Sequence, residues 1–204
     1  MSRVAASAGS TLKRAPLKPS FTEVKPASSS AAFRRYIESG LKLLAASDTP
    51  EAKRTLKAIA SGKVKVDLFS DLTAADFRHM KKDLPAEKLS KQDAAAYRAI
   101  SRNLNGYMWD DRVYVHRELS PKKLAATLVH EVTHVFTKAE ENYRGPKAAL
   151  RQEYAAFYAE KKFLGVEMTP ARCLALKKWV IEVYELKGVT PADVPDLPVV
   201  PRRP

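Results

Sequence analysis

His130 and His134 stand four residues apart, with Glu131 directly after the first, in Thr127-Leu128-Val129-His130-Glu131-Val132-Thr133-His134-Val135-Phe136. On an α-helix, residues four apart project from one face, so the two imidazoles can close on a single metal ion. Neutral imidazole suits zinc, and a catalytic zinc keeps one position open for water beside three protein ligands. Glu131 then stands where a carboxylate can take a proton from water that a metal has made acidic. The chemistry indicated is metal-assisted hydrolysis, with Glu131 as general base. The competing reading is two histidines on a solvated helix face, and a third ligand would weigh against it.

The helix that must carry these groups is legible around them. At about 100° per residue, Leu124, Leu128, Val129, Val132, Val135 and Phe136 form one apolar stripe. His130, His134 and Thr127 fall on roughly the opposite side, with Glu131 at the margin. Ser120 and Pro121 supply an N-cap and a first helical residue. The metal-site pattern with a third histidine requires Gly three and His six residues beyond His134. Thr137 and Glu140 occupy those positions, which excludes it. The other common third ligand is a glutamate from a second helix, and Glu153 lies early in one expected from about Lys147 to Leu164. A polar loop over 138–147, punctuated by Gly145-Pro146, lets that helix fold back, and small Ala155 and Ala156 allow close approach. Glu160, two turns on along the same face, is the alternative ligand.

The remaining elements frame this pair. A helical period starts at Ala31 with Phe33, Ile37, Leu41 and Leu44. A second helix opens at Asp48 or Thr49, with Leu56 and Ile59 on one face, and ends at Gly62. Residues 63–69 alternate as a strand with one wet face. Short helices are expected over 71–82, where His79 reads as a surface or partly buried residue, and over 90–104. Tyr107 to His116 reads as a hairpin turning at Asp110-Asp111, with His116 a surface residue at its exit. An exposed strand edge beside a metal can hold an extended peptide by main-chain hydrogen bonds. Thr169-Pro170 opens a last helix, with Leu174, Leu176, Val180, Val183 and Leu186 apolar and Lys187-Gly188 closing it. The fold class expected is α+β, mostly helical, with a small antiparallel sheet packed beside the histidine helix.

Composition sets the class of partner. The chain of 204 residues is 45% hydrophobic and 29% charged, with a net charge of +13. That excess favours an acidic partner, whether protein, nucleic acid or anionic surface. Nucleic acid is the weaker expectation, because no recognised binding motif is present and the basic residues are scattered. The one cysteine, Cys173, lies in an apolar helical pattern and reads as a small core residue. No stretch approaches 18 uninterrupted apolar residues, so no membrane span is expected. Residues 1–30 are rich in Ser, Ala, Pro and Lys, with Glu23 as the single acid, and read as a disordered basic leader. Such a leader resembles organelle transit peptides and bacterial type III secretion leaders, with a plain solvated tail as the alternative. Residues 189–204 hold five prolines and read as an extended or disordered tail. Residues 31–188 then form a single domain.

His130-Glu131-Val132-Thr133-His134, Glu153 with its following Ala-Phe, and the strand Asn105-Gly106-Tyr107-Met108-Trp109 together resemble the gluzincin group of zinc metallopeptidases, with a minimal thermolysin-like core. The resemblance covers roughly residues 103–165. It implies a zincin-like fold, Zn²⁺ held by His130, His134 and Glu153, and hydrolysis of a protein or peptide substrate with Glu131 as general base. In thermolysin-like enzymes an Asn-Ala-x-Trp strand in this place binds substrate backbone, and the stretch here is similar without being identical. The large C-terminal domain of thermolysin, which carries a transition-state histidine, has no counterpart. A tyrosine could serve instead, and Tyr158 on the second helix and Tyr143 on the loop are the candidates. Two settings fit a soluble basic peptidase with such a leader: its own cytoplasm, or delivery as a bacterial effector or toxin domain, which the leader favours. The readings that compete with a peptidase are a zinc-binding protein without peptidase activity and a basic nucleic-acid-binding module with a chance motif.

Overall fold

The computed structural model describes residues 31–68, 105–109, 111–116, 118–138 and 145–196. The helices expected over 71–82 and 90–104, His79, Tyr143 and the leader lie outside the described residues.

Among the described residues, five helices and three strands make an α+β fold: α1 (Ala31–Ala45), α2 (Pro50–Ala60), β1 (Lys65–Leu68), β2 (Gly106–Trp109), β3 (Arg112–Val115), α3 (Pro121–Lys138), α4 (Pro146–Phe163) and α5 (Pro170–Val183). Helix α1 buries Ile37, Gly40 and Leu44. Gly40 meets α3 closely, since a Cβ there would lie 2.8 Å from Leu124 Cγ. Thr49 caps α2 through its hydroxyl, which accepts from Ala52 N–H at 3.3 Å. The buried face of α2 is Ala52, Thr55 and Ala58, while Leu56 and Ile59 are only half-buried. The small residues let α2 approach the core, which shifts the face from that expected.

The sheet departs from the expectation of an antiparallel one. Strands β2 and β3 form the antiparallel hairpin, with Tyr107 opposite Tyr114. Strand β1, however, pairs parallel to β3, in the order β1-β3-β2, so the sheet is mixed. Residues 69–111 separate β1 from β3 in the chain, ample for the crossover that parallel pairing needs. Nor is one face of β1 wet along its length: Asp67 and Leu68 are both buried. Asp67 tolerates burial because Arg112 Nη1 donates to its Oδ2 at 2.7 Å from the neighbouring strand.

One hydrophobic core gathers α1, α2, the sheet, α3 and Ala159 of α4. A second gathers Leu150 and Tyr154 of α4, Cys173 and Val180 of α5, and Val194. Helix α4 therefore belongs to both. Within α5 the buried positions are Cys173, Lys177 and Val180, and Leu174 is exposed, so the apolar face expected there is only partly the packed one.

Packed structure continues past residue 188, the expected domain boundary. Val194 is buried, and a 3₁₀ turn at Pro191–Asp193 carries a Thr190–Asp193 capping box. Lys177 Nζ donates to Val194 O at 2.6 Å and to Asp196 Oδ1 at 2.7 Å. Tyr154 Oη donates to Asp196 O at 2.6 Å. Residues 189–196 thus form a strap across α4 and α5. Among the described residues, no helix is long and apolar enough to cross a membrane.

Candidate metal centre

Ser120 starts α3 as its type predicts: its carbonyl accepts from Leu124 N–H at 2.8 Å, and its hydroxyl lies 3.4 Å from Lys123 N. The helix is not half wet. Every described position from Leu124 to His134 is buried, because α4 covers the side opposite the core. His130 is 8% exposed and His134 2%, which removes the reading of two histidines on a solvated face. Ala155, Ala156 and Ala159 are all buried, and their small size lets α4 lie close against α3.

Three donor atoms converge where the helices meet. His130 Nε2 and His134 Nε2 are 3.2 Å apart, and Glu153 Oε2 lies 3.8 and 3.6 Å from them respectively. The circle through the corners of that triangle has a radius of about 2.1 Å, the length of a zinc–nitrogen or zinc–oxygen bond. Among the described residues, this is the group of three or more metal-ligating side chains that comes together.

Glu160 is near but plays a different part from the ligand role open to it in the sequence. Its Oε2 lies 3.2 Å from His130 Nδ1. An ionised carboxylate only accepts, so Nδ1 carries the hydrogen and the lone pair is left on Nε2, facing the triangle. Burial works to lower the His130 pKa. The hydrogen bond to Glu160 and the charges of Glu131 and Glu153 outweigh it, and the pKa is raised. His134 Nδ1 is buried and has no hydrogen-bond partner. Two imidazoles with facing Nε2 atoms, ringed by three carboxylates, make a buried site for a cation, and neutral nitrogen with carboxylate oxygen is a donor set that zinc accepts.

The walls are aromatic on one side and backbone on the other. Phe157 meets the His130 ring edge-on at 4.3 Å, and Trp179 of α5 meets Phe157 at 4.8 Å. Gly106 of β2 runs against Thr127 and Glu131. Among the described residues, strand β2 is one of the two edge strands of the sheet, β1 being the other.

Tyr158, the tyrosine expected as a catalytic group, lies on another face of α4 from the ligand glutamate. It lies about 140° around α4 from Glu153 at 100° per residue. Its ring packs 5.9 Å from Tyr154 in the second core, where burial raises its pKa, with a smaller effect from Cys173. His116 is likewise absent from the cluster: its carbonyl accepts from Tyr36 Oη, and its amide donates to Asn105 O. Sequence reasoning missed the roles of Glu160, Phe157 and Gly106. Glu160 did carry a signal, since residues seven apart share a helix face with Glu153. Gly106 carried none beyond its type. No family model, curated protein or solved structure matches the chain.

Proposed function

We propose that this protein is a zinc-dependent endopeptidase that hydrolyses peptide bonds of a protein substrate. The observation that supports it most is the donor triangle of His130, His134 and Glu153, whose size suits one zinc ion. When bound, zinc would supply an acidified water and polarisation of the scissile carbonyl. Glu160 holds the His130 ring with its Nε2 lone pair inward. Glu131 follows His130 on the same helix, is 7% exposed, and accepts the water proton before passing it to the leaving amine. The outer edge of β2 aligns an extended peptide by main-chain hydrogen bonds.

The single experiment is Glu131→Gln. The variant is expected to keep one zinc per chain by metal analysis and to lose turnover of unstructured acidic substrates such as casein. Turnover equal to wild type would sink the mechanism. His134→Ala is expected to lose the metal.

The depth of the site favours a second reading, in which zinc is bound without peptidase activity. A zinc-loaded wild type that leaves a broad set of unstructured proteins intact would establish that reading instead.

A further inference from the structure

Gly106 stands closer to α3 than a side chain would permit. A Cβ built there would lie 2.5 Å from Thr127 Cγ2, 2.8 Å from Glu131 Cγ and 3.0 Å from Glu131 Oε1. Its backbone is not in the left-handed region, so the requirement for glycine is steric. Thr127 and Glu131 are one helical turn apart on the same face and are both buried, so neither has solvent to retreat into. The strand is also held from its other side. Gly106 pairs with Val115, and His116 N–H donates to Asn105 O at 3.2 Å. Met108 and Val115 fix the hairpin in the core.

We propose that Gly106 is a positioning residue for the general base. The bare backbone of β2 is the wall against which the Glu131 side chain lies. The absence of a Cβ holds that carboxylate beside the His130–His134–Glu153 triangle. Any side chain at 106 forces Glu131 to swing, because Thr127 blocks the strand and β3 anchors it. This proposal rests on the peptidase reading, and it goes beyond that reading by tying the alignment of the base to one residue of the substrate strand.

The test compares wild type, Gly106→Ala, Thr127→Ser and the double variant, with Glu131→Gln as reference. Zinc affinity is read by competition with a chelator, turnover on fluorescein-labelled casein, and the pH midpoint of the visible absorption band in the cobalt-loaded proteins. Gly106→Ala is expected to keep zinc affinity and KM within about threefold of wild type and to lose about 100-fold in kcat, the scale of a 1 Å misplacement. Its cobalt midpoint is expected to move toward that of Glu131→Gln. Thr127→Ser deletes the methyl group 2.5 Å from the added Cβ and is expected to recover about tenfold in kcat when combined with Gly106→Ala. Gly106→Ala turning over like wild type while Glu131→Gln is dead overturns the positioning role. Loss of zinc in both the single and the double variant also overturns it, because the Cβ then damages the fold and not the base. For a wild type that leaves casein intact, the cobalt midpoint decides: a shift in Glu131→Gln without one in Gly106→Ala overturns the proposal. Glu131→Gln that changes neither turnover nor midpoint sinks the peptidase reading itself.

Discussion

At the scale of single residues, the carboxylate of Glu160 decides which nitrogen of His130 faces His134 and Glu153. Glu160→Ala is expected to weaken zinc binding by about 10–100-fold, the usual effect of losing a group that orients a ligand. Glu160→Gln should weaken it less, since an amide oxygen still accepts from Nδ1–H. Chelator competition measures both. The raised pKa of His130 gives the metal-free protein a signed pH dependence. A histidine whose folded pKa exceeds its unfolded value of about 6.5 adds stability fully present below that pH. That stability is lost as pH rises through the folded pKa. His130 is therefore expected to favour melting of the metal-free protein at a higher temperature near pH 6 than near pH 8. Zinc requires the neutral ring, so metal affinity should run the other way and fall with acidification. Melting curves of His130→Gln without metal, flat across this range where wild type slopes, would confirm the assignment to His130.

At the scale of elements, the site depends on α4, which reaches both cores. Ala156 is fully buried beside Glu153. Ala156→Leu is expected to cost about 1–3 kcal/mol by overpacking and to push α4 off α3. Its signature would be weaker zinc binding together with the lower melting temperature. The strap from 189 to 196 holds the other flank of α4. Lys177→Met keeps the volume but leaves the buried Val194 carbonyl without its donor, at a cost of about 1–3 kcal/mol by thermal or urea melting. Because the strap reaches α4 through Tyr154 Oη, that variant tests whether the segment read as a tail belongs to the domain.

At the scale of the molecule, a zinc ion would bridge the two cores by joining α3 to α4. Mass action then predicts a gain of about 4 kcal/mol when free zinc is a thousandfold above its dissociation constant. Removing it with a chelator is expected to lower the melting temperature, and re-addition to restore it. The net charge of +13 is the excess of 36 Lys and Arg over 23 Asp and Glu. On the proposed peptidase reading, that excess predicts faster cleavage of acidic than basic unstructured proteins, with the difference shrinking as salt rises. Equal rates on both would leave the charge without a role in substrate choice.

The sequence by itself determined the local features. Helix starts at Ser120, Thr49 and Thr169, the hairpin, and the imidazole pair four apart on α3 follow from interactions within a few residues, which residue types specify. It also placed Glu153 on the correct helix. The tertiary structure decided what depends on chain segments meeting. The parallel pairing of β1 depends on where a distant strand docks, which the alternation in Lys63–Phe69 does not encode. Lys177 is buried only because Val194 and Asp196 lie over it, and Leu174, expected on the apolar face, is turned outward on α5. Tyr158 and Glu160, two residues apart, face different ways by helix geometry alone, but only packing decides that the Glu160 face is the one that meets His130. Gly106 has no meaning within its strand. It acquires one only because α3 brings Thr127 and Glu131 to within van der Waals contact of its bare Cα.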